Sequence, residues 1–324
     1  MKTKKKIIVP ISYFNGESNS KLLEIDIETK AIKEVFNHTP NHKSKVNCKG
    51  FTQIEHIKEK NILLVADYNQ FHVFDANNYK IIISVSSNIM NDIHGINYFN
   101  NLIIIVNTGF DSIEIYNLEG KFIQSINLLS FDEASNRFSN KNINLSFDSY
   151  YNNDNTKPFN QRIIKDKFHL NNCTVIDNKL IATSFTKKTL IDLSPYREIA
   201  PPLEANIHDC VLYDNKIWIT SVDGKIYFRN KNIDKFSDFK EYVDLFNIGI
   251  YYGWCRGLYF SDGFVYIGIT EINSDISQKR WNTNIPIEKT KTGIIKLNFK
   301  NKEIVNFYNL SDKNISRVFG FIIK

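Results

Sequence analysis

Cysteine, glycine, proline and methionine are all scarce in this chain of 324 residues, with 4 Cys, 13 Gly, 7 Pro and 2 Met. Four cysteines without a CxxC pair exclude a secreted mini-protein built on disulfides and argue against a structural zinc site. Glycine and proline together make 20 residues, too few for a collagenous or linker-like chain. Long apolar runs are missing as well. The strictly apolar stretch Leu102–Val106 is typical, whereas a membrane-spanning helix needs about 20 residues. The start, MKTKKKIIVPISYF, carries lysines and a short apolar run broken by Pro10, too short for a signal-peptide core. The chain is therefore read as cytoplasmic, with no membrane partner. The charge excess is only +6, and no basic run extends beyond Lys2–Lys6, so neither nucleic acid nor a nucleotide cofactor is expected.

What is abundant is β-forming. Hydrophobic residues make 42% of the chain and aromatics 13%, with 24 Phe and 16 Tyr. Five stretches repeat one plan: those opening at Gly50, His94, Asn172, His208 and Arg256. Each has a polar opening residue, an apolar strand, a turn such as NN, DNK or SDG, then second and third strands. Most add a fourth: YKIIISVS, KFIQSINL, FKEYVDLF and EIVNFYNL. No apolar stripe of helical period runs for three turns. Four-stranded units at this spacing are the blades of a β-propeller. The ends supply a sixth blade: three strands from the N-terminus (IIVPISYF, KLLEIDI, AIKEVF) and one from the C-terminus (RVFGFIIK). Pairing the two ends removes an exposed sheet edge. The expectation is one six-bladed propeller over residues 1–324, with insertions at about 130–167 and 274–291.

The first strand of each blade would line the central axis. Its opening residues and the exits of the second strands would then share one channel mouth, where loops carry function. The opening positions are Lys49, His94, His169 with Asn171, His208, Arg256, and Arg317 of the closing strand. Among the exits are Asn15, Glu17, Asp67, Asn107, Asp111, Ser184, Ser221, Asp223 and Glu271. His38, His42, His56 and His72 are assigned to loops or outer strands. Three histidines at the mouth should bring their imidazoles within about 10 Å of one another. In an open, water-filled channel, His208 would be removable at a cost under about 1 kcal/mol. Cys48, Cys173, Cys210 and Cys255 fall near the inner strands and are read as packing residues.

Two chemistries suit this ring. His94, His169 and His208 could act as acid/base groups, or with Glu271 as ligands to one divalent ion: zinc, iron or manganese. Oxygen donors from Asn15 or Glu17, Asn107, Asn171 and Asp209 would suit calcium. Lys49, Arg256 and Arg317, with Asn171, would hold a small anionic or sugar-derived substrate. The expected reaction is a lyase, hydrolase or isomerase step, with Glu271 orienting a histidine or serving as base. The alternative is a non-catalytic propeller whose rims bind protein or glycan.

Four ordered motifs, FHLNNCTVIDNKLIATSF, IHDCVLYDNKIWITSVDGKIY, CRGLYFSDGFVYIGITEI and TGIIKLNFKNKEIVNFY, cover roughly residues 168–310. In these the chain resembles an uncharacterised family of conserved hypothetical bacterial proteins of propeller type. The resemblance implies that His169, Asn171, His208, Arg256 and Glu271 are signature positions. It lends no activity.

Overall fold

The computed structural model describes residues 5–13, 20–38, 50–87, 89–128, 167–273, 275–281, 283–311 and 317–324. Within them the chain forms six four-stranded antiparallel sheets arranged as a six-bladed β-propeller. β1 (Lys6–Ile11), β2 (Ser20–Asp26) and β3 (Ile32–His38) belong to the closing blade. Blade 1 is β4 (Gln53–Ile57), β5 (Ile62–Ala66), β6 (Gln70–Asp75) and β7 (Ile81–Ser86). Blade 2 is β8 (Ile93–Phe99), β9 (Leu102–Asn107), β10 (Ser112–Asn117) and β11 (Phe122–Asn127). Blade 3 is β12 (Leu170–Ile176), β13 (Lys179–Ser184), β14 (Thr189–Leu193) and β15 (Tyr196–Glu198). Blade 4 is β16 (Ile207–Tyr213), β17 (Lys216–Ser221), β18 (Lys225–Asn230) and β19 (Glu241–Asp244). Blade 5 is β20 (Trp254–Ser261), β21 (Phe264–Thr270), β22 (Gly293–Asn298) and β23 (Glu303–Asn309), and β24 (Ile322–Ile323) completes the closing blade.

The turns explain the hairpins. Asn100–Asn101, Asp177–Asn178, Asp214–Asn215 and Asp262–Gly263 each place two consecutive residues at positive φ. Each pair is the whole loop between the first and second strands of its blade. That backbone is the type I′ turn, whose twist matches the flanking strands and which Asn, Asp and Gly tolerate best. Closure is as the sequence implied. Ile7 pairs with Ile323 and Ile8 with Ile322, and the backbones of Ser12 and Arg317 exchange hydrogen bonds. The first strand of each blade packs on that of the next around the axis, and β24 closes the circle between β20 and β4.

The core is divided into wedges between blades. Val106 and Ile113 of blade 2, for example, interlock with Leu170, Cys173 and Ala182 of blade 3. Cys173, Cys210 and Cys255 are buried free thiols whose acidity burial suppresses, in keeping with packing roles. The segment between β21 and β22 holds a helix the sequence reading did not contain, α2 (Asp275–Trp281); α1 (Leu245–Ile248) precedes β20. β15 supplies a fourth strand for blade 3 that three residues were too few to announce. The insertion expected at 130–167 lies almost wholly outside the described residues. His56 corrects an assignment: it sits on β4, an innermost strand, and His72 is buried on β6 with Nδ1 2.8 Å from Ser84 Oγ. No helix among the described residues is long and apolar enough to cross a membrane.

Candidate active site at the axis mouth

The first strands of blades 2 to 5 each break register near their start: between Ile93 and Gly95, Leu170 and Cys173, Ile207 and Cys210, and Arg256 and Leu258. A bulge takes residues out of the ladder and re-aims their side chains. Aligning the ladders on either side of these bulges makes His94, Asn171, His208 and Arg256 equivalent. His169 is therefore not the third member of a histidine repeat; Asn171 is. His169 lies one residue before β12 at φ +47°, held there because its N–H donates to Asp111 Oδ1 (2.8 Å).

The side chains converge nonetheless. The His94 ring centroid lies 5.1 Å from that of His169 and 6.3 Å from that of His208, the latter pair stacked within 18°. Phe319 of the closing segment touches His94 (5.0 Å) and His208 (5.7 Å), and the Arg256 guanidinium lies 4.1 Å from its ring centroid. Electrostatic coupling places Arg317 beside Arg256, with Asp92 near both. The expected grouping of His94, His169, His208, Arg256 and Arg317 at one mouth thus describes the geometry. Lys49, Asn15 and Glu17 lie outside the described residues. Glu271 is half-buried just past β21; its N–H donates to Thr292 Oγ1 (3.1 Å), and the charge of Lys291 acts on its carboxyl from a distance. Burial raises its carboxyl.

A belt of hydrogen bonds joins these positions across blades. His94 Nδ1 donates to Asn171 Oδ1 (2.7 Å), and Asn171 Nδ2 donates to the Ile207 carbonyl (3.1 Å). Asp209 accepts from His208 Nδ1 (2.7 Å), the Gly257 N–H (2.6 Å) and Asn172 Nδ2 (3.2 Å). The His208 ring is only 2% exposed, so the expectation of an open, water-facing histidine fails: the bulge turns the ring into the belt. With Nδ1 donating to a carboxylate, Nε2 carries the lone pair, and that atom is buried without a hydrogen-bond partner among the described residues. Burial, with help from Arg256 and His94, lowers the His208 imidazolium to about 4 against the pull of Asp209, so the ring is neutral at pH 7. His94 differs: Nδ1 has an acceptor in Asn171, and Nε2 lies 3.2 Å from Asp92 Oδ1.

Arg256 is lowered to about 9, first by burial and then by Arg317; Arg317 is lowered to about 10 by burial. Both stay cationic at pH 7. Arg256 Nε and Nη1 are buried without a hydrogen-bond partner among the described residues. Asn107, named for a calcium set, instead spends its amide on Ile89 O and Ser112 Oγ and accepts from Asn91 N. Among the described residues no group of three or more His, Cys, Asp or Glu side chains is arranged to hold a metal ion. Sequence reasoning missed Asp92, Trp254 and Phe319 and saw Asp209 only as a calcium ligand. Asp92 and Asp209 were legible as acids within two residues of a predicted histidine.

No protein-family model matches the chain, and no curated protein matches it. Solved structures do. A protein of unknown function from Bacteroides caccae is similar at TM-score 0.66 and 10% identity over 99% of each chain. A chain of the nidogen/laminin complex is similar at 0.58 and 9% identity over 98% of each. A candidate 6-phosphogluconolactonase from Bacteroides fragilis is similar at 0.54 and 9% identity, over 94% of this chain and 82% of that one. At such identities the likeness is one of fold. The first of these is in keeping with the propeller character of the bacterial family the sequence resembles.

Proposed function

We propose that the chain is an enzyme that binds a small anionic molecule at the axis mouth and moves a proton on it through His208. One observation carries the reading: His208 presents an unprotonated, buried and unpartnered Nε2, its ring fixed by Asp209, within the field of the Arg256 guanidinium. A base needs its lone pair free and its tautomer set from behind, and a carboxylate on the other ring nitrogen does both. Arg256 and Arg317 hold the anion. Binding it lowers the local positive potential and so raises the basicity of His208 at the moment a base is required. His94, with Nδ1 on Asn171 Oδ1 and Nε2 3.2 Å from Asp92 Oδ1, serves as the matching acid. Two imidazoles 6.3 Å apart, one serving as base and the other as acid, suit proton removal at one atom and delivery at a neighbouring one, the requirement of an isomerase or lyase step. His169 borders the cluster and contacts the substrate. The likeness to a candidate lactonase supports a sugar-derived anion as much as a shared fold can.

A second reading is favoured by a specific feature. Asn171 and Asp209 spend their hydrogen bonds on neighbouring blades, as struts would, which fits a non-catalytic propeller whose rims bind protein or glycan. The two readings part in D2O. Incubating a panel of hydroxy acids and sugar acids with the protein should wash deuterium into the C–H next to the carboxyl group. His208→Gln should cut the rate by about a hundredfold or more. Undiminished exchange in that variant would remove His208 from the chemistry.

A further inference from the structure

Beside the imidazole cluster runs a wall of aromatic rings. Trp254, two residues before Arg256 on β20, has the Arg256 guanidinium 5.4 Å from its ring centroid. It stacks on Phe185 at 5.8 Å and 4° between planes. Phe185 in turn tilts against His169 at 5.0 Å, and Arg280 of α2 lies 5.9 Å from it. Trp281, the last residue of α2, packs in the same apolar cluster as Phe185 and Trp254 and is fully buried. The wall thus leads from the site's cations to the helix inserted between β21 and β22.

This wall has an anomaly. The indole Nε1 of Trp254 and that of Trp281 are both buried without a hydrogen-bond partner among the described residues, as are Nε and Nη1 of Arg256. A buried indole N–H ordinarily finds an acceptor, and leaving one unmade costs free energy. Four such donors on three residues of one wall, with apolar faces between them, match a ligand that is anionic at one end, rich in oxygen acceptors along its length and apolar on its C–H faces. A plain aliphatic or aromatic acid would satisfy Arg256 and leave both indoles orphaned.

We infer that the ligand at this mouth is a sugar anion: its charged group sits on Arg256, its ring lies along Trp254 and Phe185, and its hydroxyl oxygens accept from the indole N–H groups. The inference rests on the anion-binding reading above and narrows it. Carboxylate and phosphate share the chemistry, so the probes include both.

The test is calorimetric titration of the full chain with glucuronate, glucose 6-phosphate and cyclohexanecarboxylate, the last matched to glucuronate in ring size and charge but bare of hydroxyls. At least one sugar anion should bind ten times or more tighter than cyclohexanecarboxylate. Trp254→Phe keeps the aromatic face and deletes the N–H. It should shrink that preference about tenfold while leaving cyclohexanecarboxylate affinity unchanged. Trp281→Phe, a second variant should the first melt early, should shrink it in the same direction. Equal affinity for the matched pair, or a preference unmoved in both Phe variants, overturns the inference and leaves anion binding standing; a water on the indoles would give that result. If no probe binds and Arg256→Gln changes nothing, the anion-binding reading itself has failed and takes this one with it.

Discussion

Asp209 is the residue whose alteration should tell most about how the mouth is built. Its carboxylate accepts three hydrogen bonds from three different blades' first strands: His208 on its own, Gly257 on the next and Asn172 on the one before. Replacing it with Asn keeps the shape and removes the charge. One amide oxygen can still receive His208 Nδ1 and Gly257 N–H. The amide nitrogen then faces Asn172, whose Oδ1 is buried and without a hydrogen-bond partner, so a flip of the Asn172 amide restores that contact with roles reversed. The His208 and Gly257 donors stay paired. The loss is the charge assistance, about 1 kcal/mol for each of three contacts. Asp209→Asn should therefore cost about 2–3 kcal/mol, a fall in melting temperature of about 3–4 °C for a chain of this size. Asp209→Ala orphans His208 Nδ1 and the Gly257 N–H outright and should cost about 4–6 kcal/mol. Thermal melts and denaturant titrations of both variants check the order. Equal melting temperatures for wild type and Asp209→Asn would refute the view that this carboxylate holds the blades together as an anion.

Three further outcomes follow from other parts of the molecule. Deleting Arg317–Lys324 removes Val318, Phe319, Phe321, Ile322 and Ile323, all buried, and leaves β1 as an open edge; the truncated chain should aggregate or lose cooperative unfolding in a denaturant titration. Arg256→Gln should abolish anion binding by calorimetry while the melting temperature holds or rises, because a cation already lowered to about 9 by burial is itself a strain on the fold. Glu55, on β4, is raised to about 7 by burial. A carboxyl whose folded value lies above its unfolded one binds more protons when folded, so stability should fall as pH rises from about 4.5 to about 7. The drop is about 2 kcal/mol after allowing for partial exposure, and Glu55→Gln should flatten it in melts run across that range.

The architecture was legible because propeller blades are written locally. Two-residue turns of Asn, Asp and Gly force positive φ and name the hairpins one by one, and the unpaired strands at the two termini name each other. The mouth was half legible. Position in the repeat picked out His94, His208 and Arg256, since equivalent places in equivalent blades must meet at the axis. It misjudged His169 by following residue type over spacing: His94, Asn171, His208 and Arg256 each stand six positions before the two-residue turn of their blade, and His169 stands eight before. It misjudged the setting of His208 because a bulge is invisible in sequence and turns the ring into a hydrogen-bonded belt. Trp254, Phe319 and α2 were not foreseen. Their roles depend on contacts between residues tens to hundreds of positions apart, which no local pattern encodes.

The central claim is that His208 stands as an oriented, unprotonated base beside a cationic anion site. Long-range proton–nitrogen correlation spectra of the histidine rings at pH 7, with and without glucuronate or glucose 6-phosphate, test it most directly. The account predicts a His208 ring with the proton on Nδ1 and a bare Nε2, and an Nε2 resonance that moves toward the protonated position as the anion saturates, a shift lost in Arg256→Gln. A His208 proton found on Nε2, or histidine resonances that no anion moves, would contradict it.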